Sequence, residues 1–542
     1  MASWPNAIVS VAVRQCLLWA ALMALVACGD GANSSLGTTG PPPAAEVPCS
    51  DLAGRSVGGA ELVSAIETSV GGTPSCVVDG QIDATINFQL TIPCDWNGKL
   101  LYLGSGGFGG SISPATGTLS PGMLGDANCD GQADGYAIVA SDTGHQGATF
   151  DAEWVLSSPA AADDFAFRAV HVVQLAAREI IRANTGEGVN QAYFEGCSDG
   201  GREGLIAAQR YPDDFNGIVA RAPAANWTGL MTTGNRIARR LIEDGAKPGM
   251  SKLNLLGNAQ LDACDANDGL ADGIISLPDS CTAVIDTLRC PGADEPSCLT
   301  DEEISTFQLV RSPTPLPFAQ ADGVQSYAGY SPGHEEQFAS WPLWLVDGAP
   351  FAIPPIPPLK IESQNQFFRY FIAGDPDIDP LQINLADYAV ALERESRRAD
   401  ATNANLDPFF KRGGKLILWH GNADPAISVN DTTAYYENAV AATELEVDDN
   451  IRYYTAPGVL HCRSGPGADT VDLVTPLANW VESGVAPGTL IARRYPPNPA
   501  DGTPMLSAPP VISRPLCLYP QYPHYNGAGD AADATSFTCR SP

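Results

Sequence analysis

The chain has 542 residues, of which 62 are acidic and 30 basic, for a net charge of −32, with 44% hydrophobic residues and 14 cysteines. That length calls for one large domain carrying an insertion, or for two domains. The hydrophobic fraction excludes disorder as the main state, and the negative charge excludes a nucleic-acid surface, since phosphate would be repelled.

The first element is a targeting segment. Residues 16–27 (CLLWAALMALVA) are apolar, follow a lone positive charge at Arg14, and are too few to span a bilayer as a mature helix. They end in Leu25, Val26, Ala27 and Cys28, which resembles the lipobox of bacterial lipoproteins. Residues 1–27 then form a signal peptide and Cys28 bears the lipid; a plain secretory signal is the alternative. Residues 28–48, rich in Gly, Ser, Thr and Pro, read as a flexible tether. No later stretch has the length and apolarity of a membrane span. The expected address is outside the cytoplasm: a periplasmic or outer-membrane lipoprotein held by Cys28, or a secreted protein.

Residues 99–103 (KLLYL) predict a buried strand feeding the glycine loop GSGGFGG at 104–110, and residues 136–140 predict another strand. Helical spacing runs over 162–184, with Asp163 and Asp164 suited to a helix start. A strand at 191–195, a helix at 202–210 and a strand at 217–220 complete the βαβ rhythm of a parallel sheet. The rhythm lapses over 227–399, which is dense in Pro, Cys and Asp, and resumes with strands at 415–419 and 451–454. The expected fold class is therefore α/β, with a discontinuous domain at 49–226 and 400–542 interrupted by a cap at 227–399.

The stretch GCSDGGREG at 196–204 lies between a predicted strand and a predicted helix. In that setting G-x-S-x-G is a nucleophile elbow. A serine on a strained turn projects its hydroxyl above the sheet, the glycines relieve crowding, and the next backbone N–H points where an oxyanion forms. Ser198 is the candidate nucleophile, against the alternative of a simple turn. A serine needs a base and the base needs an orienting acid, in the chain order Ser, Asp or Glu, His. His461 lies in a loop after the 451–454 strand, and Asp424 follows the 415–419 strand, 37 positions before it. A solvated Asp-Pro turn is the alternative for Asp424. His420 reads as a packing or hydrogen-bonding residue near the acid loop, His145 as a cleft-lining residue and His171 as structural.

Twelve cysteines remain once Cys16 and Cys28 are set aside. An even count in an exported chain points to disulfides. Spacing proposes Cys49 with Cys76, Cys94 with Cys129, Cys264 with Cys281, Cys290 with Cys298, and Cys517 with Cys539, although spacing alone does not fix connectivity. Cys197 and Cys462 are left over. They flank Ser198 and His461, so a serine–histidine pair would bring them within disulfide reach; two separate buried thiols are the alternative.

Cys197-Ser198, Asp424 and His461-Cys462 together resemble the CS-D-HC motif of the tannase and feruloyl esterase family. The likeness extends to GCSDGGREGL, RYPDDFNGIVARAP, CDANDGLADGI, RGGKLILWHGNADP and HCRSGPG, from about Cys49 to Cys539. The resemblance implies an α/β-hydrolase core with a lid domain at 227–399, carboxylic ester hydrolysis by Ser198, Asp424 and His461, and an oxyanion hole from the backbone N–H groups of Gly107 and Asp199. Phosphate binding by the glycine loop is the rival reading, but the loop lacks the Lys-Ser/Thr ending of a P-loop. The resemblance also implies a structural calcium ion in the lid, held by side chains of Asp265, Asp268 and Asp272 and by carbonyls of Leu270 and Ile274. Hard oxygen donors suit calcium, though ligand chemistry alone leaves a solvated acidic turn as an equal reading. No organic cofactor is expected.

Substrate choice would lie in the lid, where Trp341, Trp344, Phe351, Phe367 and Phe368 are candidate aromatic surfaces and Lys360 and Arg369 are nearby cations. The expected substrate is a small aromatic ester of the hydroxycinnamoyl (feruloyl) or galloyl type. A terephthalate monoester is the alternative within the family. Against it, no lid arginine for the terephthalate carboxylate can be aligned, and Gly106 stands where those hydrolases carry serine. Other classes remain: a non-catalytic binding lipoprotein on a hydrolase scaffold, and a serine peptidase.

Overall fold

The computed structural model describes residues 46–542 except 127, 351, 353–354 and 499–502. The expected signal peptide, the Cys28 lipid site, most of the tether and Phe351 lie outside the described residues.

The frame is a ten-stranded sheet. In chain order its strands are β1 (Ser56–Val57), β2 (Ala60–Val70), β3 (Thr73–Ile82), β4 (Ile86–Pro93), β5 (Trp96–Leu103), β6 (Gly135–Ser141), β7 (Gln191–Cys197), β8 (Gly217–Arg221), β9 (Lys415–Gly421) and β10 (Ile451–Ala456). In space the order is β1-β2-β3-β4-β6-β5-β7-β8-β9-β10. The pairs from β1 to β4, and β4 with β6, are antiparallel. From β6 through β5, β7, β8 and β9 to β10 every pair is parallel.

The parallel strands are apolar on both faces, as a sheet covered on both sides requires. Side chains alternate across the pleat. Tyr102, Val139, Phe194, Ile218 and Leu418 enter one core, while Leu101, Ile138, Tyr193, Val219 and Ile417 enter the other. Helices α1 (Ala169–Thr185) and α2 (Asp199–Arg210) cover the first face. Between β8 and β9 the chain leaves the sheet, and Phe307, Trp341, Leu345, Phe367 and Phe371 of this insert share one apolar core with Phe108, Trp154 and Phe165. That insert contains α3 (Trp227–Leu241) and α4 (Leu359–Gln366). Helix α5 (Val429–Ala442) links β9 to β10, and α6 (Val474–Ser483) covers the second face through Leu477, Ala478 and Trp480.

The six strands and two helices predicted around the motifs are present, with three differences. The helical run expected at 162–184 divides into Pro159–Asp163, a π-turn at Asp164–Arg168, and α1. Asp164 at that break takes Arg168 Nη1 at 2.6 Å. The antiparallel β1–β4 meander and two C-terminal hairpins, Leu490–Arg494 with Ile512–Leu516 and Tyr522–Tyr525 with Phe537–Arg540, were not anticipated. Their strands carry many polar residues on an exposed face, as in β2, so they lack an unbroken apolar run. The tether is also shorter than expected. Val47 N–H donates to Ala183 O at 2.9 Å and Val47 O accepts from Asn184 at 3.0 Å, so the fold takes hold of the chain before Cys49.

The six disulfides among the described residues join the cysteines paired above, the long-range one linking Cys197 to Cys462. Such a set belongs to an oxidising compartment. Among the described residues no helix is long and apolar enough to cross a membrane.

Candidate active site

β7 ends at Cys197 and α2 begins at Asp199, leaving Ser198 alone to turn the chain. It does so at φ 66° and ψ −121°, where residues with a Cβ are rarely held without support. The support is a junction of three glycines from three segments. A Cβ on Gly196 would lie 2.5 Å from the Gly200 backbone; one on Gly200 would lie 2.6 Å from Ser105 O; one on Gly104 would lie 2.7 Å from Gly200 Cα. The strand, the helix start and the glycine loop therefore touch through bare backbone.

The glycine loop is tied to α2 by Ser105. Its N–H donates to Glu203 Oε2 at 2.9 Å, and its hydroxyl lies 2.7 Å from Glu203 Oε1 and 3.1 Å from Asp199 Oδ2. Arg202, fully buried, donates to Asp199 Oδ1 at 2.6 Å. Burial and the adjacent Asp199 carboxylate push the Glu203 carboxyl up to about 7. The clamp holds two backbone N–H groups on neighbouring segments: that of Gly107, at φ 64°, and that of Asp199, the first of α2. Neither has a hydrogen-bond acceptor among the described residues.

Asp424 lies at the far side, in the loop after β9, with no exposed side-chain surface. Its Oδ2 accepts from His461 Nδ1 at 2.7 Å and faces His420 Nε2 at 3.1 Å; its Oδ1 accepts from the N–H groups of Ala426 at 2.8 Å and Ile427 at 3.0 Å. Burial opposes ionisation, but His461 and His420 outweigh it and hold the carboxyl well below the usual carboxylate range. His420 Nε2 also faces Ile427 O at 3.2 Å, and two acceptors fix the proton on that nitrogen; Nδ1 takes the Thr432 hydroxyl at 2.9 Å. His420 thus has the hydrogen-bonding role expected of it. The indole of Trp344 meets the His461 ring edge to face, at 5.2 Å between centroids.

Ser198 and His461 open onto one cavity of about 270 Å³, and the Cys197–Cys462 bridge, with Cα atoms 6.0 Å apart, forms part of its wall. The serine–imidazole hydrogen bond is not made among the described residues; such bonds commonly tighten only with substrate. The rest of the wall is mostly aromatic and aliphatic: Phe108, Phe150, Trp227, Leu230, Met231 and Trp344. Only Trp344 among the described aromatic candidates lines it; Trp341, Phe367 and Phe368 are buried in the core of the insert instead. Expected to line the cleft, His145 does not. It is stacked on Trp154 at 3.6 Å, beside Gly109, and burial lowers its imidazole to about 4. His171 is structural, bonded to Asp214 at 2.8 Å.

Sequence reasoning noted Lys360 only as a nearby cation; it stands in the cavity wall with Ser363 and Gln364. Their i, i+3, i+4 spacing, one face of α4, was the available signal. The Lys360 ammonium donates to Tyr330 Oη at 2.5 Å and Ala426 O at 2.6 Å, and burial lowers it to about 7.

Residues 69–540 match the family model described as tannase and feruloyl esterase. The chain belongs to the tannase and feruloyl esterase family. It is a carboxylic ester hydrolase of α/β-hydrolase type. The esterase is 32% identical over 517 residues to the mono(2-hydroxyethyl) terephthalate hydrolase of Piscinibacter sakaiensis, covering 84% of this chain and 82% of that one. It is 28% identical over 495 residues to a probable feruloyl esterase B-2 of Neosartorya fischeri, covering 86% of each. Among solved structures, feruloyl esterase B from Aspergillus oryzae superposes with a TM-score of 0.72 at 25% identity, covering 89% of this chain and 97% of that one.

In the esterase's acidic loop, Asp265 accepts from Gly273 N–H at 2.8 Å and Ile274 N–H at 3.2 Å. Asp268 accepts from the Ser276 hydroxyl at 2.5 Å, and Asp272 pairs with Arg514 at 2.5 Å. Burial pushes the Asp268 carboxyl up to about 6, with added repulsion from Asp272 and Asp265. The donor chemistry fits a hard cation that would relieve this repulsion. Among the described residues, however, no three Asp, Glu, His or Cys side chains are already gathered as metal ligands.

Proposed function

We propose that this esterase is an exported serine hydrolase of aromatic esters of the hydroxycinnamoyl (feruloyl) or galloyl type. One observation carries the reading: Ser198 and an Asp424-bound His461 open onto a single small cavity with aromatic walls. Ser198 Oγ attacks the ester carbonyl while His461 Nε2 takes its proton. Asp424 holds the imidazole through Nδ1–H and stabilises the imidazolium. The Gly107 and Asp199 N–H groups receive the oxyanion, the alcohol leaves with the proton from His461, and water repeats the cycle on the acyl-enzyme.

Steady-state kinetics on methyl ferulate, methyl gallate, mono(2-hydroxyethyl) terephthalate and a short p-nitrophenyl ester test the reading. Preference for methyl ferulate or methyl gallate, with kcat cut by about 10⁶ in Ser198→Ala, supports it. Full activity in Ser198→Ala would sink it. The second reading, a terephthalate monoesterase, is favoured by the Lys360 ammonium in the wall, a partner for a substrate carboxylate. It wins if mono(2-hydroxyethyl) terephthalate is preferred and Lys360→Met raises KM for that ester alone.

We propose further that Asp265, Asp268 and Asp272, with carbonyls of Leu270 and Ile274, hold a structural calcium ion. Calcium would supply positive charge among these carboxylates and take no part in ester cleavage. The N-terminal segment is proposed to direct export, with Cys28 as the lipid-bearing residue; mass spectrometry of the membrane fraction would find diacylglyceryl-Cys28 or an unmodified chain.

A further inference from the structure

A second and larger cavity, of about 780 Å³, lies where residues 322–328 of the insert and 402–405 meet α5. It backs onto the ester cavity through residues 224–227: Ala224 and Trp227 face the ester cavity, while Ala225 and Asn226 face the second one. Among the described residues its lining holds no Lys, Arg or His; Val324 is the one large aliphatic residue there and Tyr435 the one aromatic.

Its hydrogen-bonding groups are unevenly satisfied. Asp431, only 8% exposed, accepts two long bonds on Oδ1, from Ala328 N–H at 3.3 Å and Asn226 Nδ2 at 3.4 Å. Its Oδ2 has no partner among the described residues. Asn403 spends its carbonyl oxygen on Asn405 N–H at 2.9 Å and keeps its amide N–H groups free. Asp322 accepts the Thr402 hydroxyl at 3.0 Å on one oxygen only. The amides of Gln325 and Asn438 have no partner among the described residues. Burial pushes the Asp431 carboxyl up to about 7, so near neutrality it serves as donor as well as acceptor.

Of these groups Asp431 is buried, while Asp322, Gln325 and Asn438 are exposed and meet water, so the gain from a ligand's hydrogen bond is largest at the free Asp431 Oδ2. The chemistry of the wall selects that ligand. Two carboxyl groups and no cation disfavour an anion. An aromatic ring finds one aromatic face, Tyr435, the rest of the apolar wall being alanine and Val324. Neighbouring hydroxyl groups, each both donor and acceptor, match a surface of amides and carboxyls. We propose that this cavity is a binding site for a neutral polyhydroxylated ligand, an oligosaccharide of two or more residues, separate from the ester site. The volume lies within the range of ligand sites, about 300–1,000 Å³.

The test is saturation-transfer NMR on the mature protein with xylotriose and maltotriose, with glycerol, benzoate and calcium chloride as comparison ligands. Asn438→Trp fills the cavity from an exposed position, and Asp431→Asn alters its floor. The expected result is transfer to a trisaccharide with Kd below about 10 mM, weakened at least about tenfold in Asn438→Trp. Hydrolysis of methyl ferulate by Asn438→Trp should stay within about twofold of the unaltered protein, a change worth under 0.5 kcal/mol. No transfer to either trisaccharide would overturn the proposal, as would equal transfer in Asn438→Trp. Competition by calcium or benzoate without sugar binding would also overturn it, marking an ion site. The readout is binding, so it stands apart from whichever ester the enzyme cleaves.

Discussion

Removing the Cys197–Cys462 bridge, by the double substitution Cys197→Ala and Cys462→Ala, separates two consequences of one bond. The bridge closes a loop of 265 residues. The chain-entropy relation assigns such a loop roughly 5.5 kcal/mol at 25 °C, against a common measured span of about 2–4. Two bridges inside the loop, spanning 17 and 8 residues, shorten the closed path too little to matter to a logarithm. The Cys517–Cys539 bridge, spanning 22 residues, gives about 3.4 kcal/mol by the same relation and serves as the control. Both double variants should unfold at lower guanidinium concentration, the first more than the second. Only the first should lose turnover, because it alone flanks Ser198 and His461; misplacement by about 1 Å costs of order 10²-fold. Guanidinium unfolding followed by circular dichroism, and kcat at 25 °C where both variants are folded, measure the two effects. If the first variant keeps kcat within a factor of two, the positional argument fails. If its midpoint falls no further than the control's, the entropic argument fails.

Asp424→Asn should lower kcat by roughly 10³–10⁴, because an amide neither fixes the His461 tautomer nor stabilises the imidazolium. Gly107→Ala should lose roughly 1–3 kcal/mol of stability as well as activity, since its Cβ would lie 2.3 Å from Thr149 O, whereas Gly106→Ser, with nothing within 4 Å, should cost little; melting temperatures compare them. Glu203, raised in the folded state to about 7 from an ordinary value of about 4.3, binds more protons folded than unfolded. Its contribution is therefore fully present at low pH and declines as pH rises from about 4.3 to 7; Glu203→Gln should lack that slope in a pH series of melting temperatures. Chelation should lower the melting temperature, and calcium at about 100 times its Kd should restore roughly 2.7 kcal/mol; Asp268→Asn should erase the response.

The parallel half of the sheet was legible because both its faces are buried, and unbroken apolar runs such as residues 99–103 stand out. The elbow was legible because its glycines are imposed by backbone contact, and Asp424 and His461 because they follow strands in a set order. The cavity wall was harder to read. Trp227 and Lys360 come from helices more than 100 positions apart, and nothing local distinguishes an aromatic residue facing a cavity from Phe367 or Phe368 in the core of the insert. The meander and the hairpins were hidden by their exposed polar faces.

The meeting of Gly104, Gly196 and Gly200 bears on how this sequence can drift. A new side chain that strikes another side chain can be accommodated by trimming its neighbour, so most packed positions change in pairs. Here the nearest atoms struck are main-chain ones: Gly200 for Gly196 and for Gly104, and Ser105 O for Gly200. Trimming Phe194 or Glu203 beside Gly104 would leave these main-chain contacts in place, so no second substitution restores the fit. Gly196 and Gly104 are thus frozen by the Gly200 backbone, and Gly200 by Gly104 and the Ser105 carbonyl. A variant library spread over both glycine segments should return substitutions at Gly106, where nothing lies within 4 Å, long before it returns any at this junction.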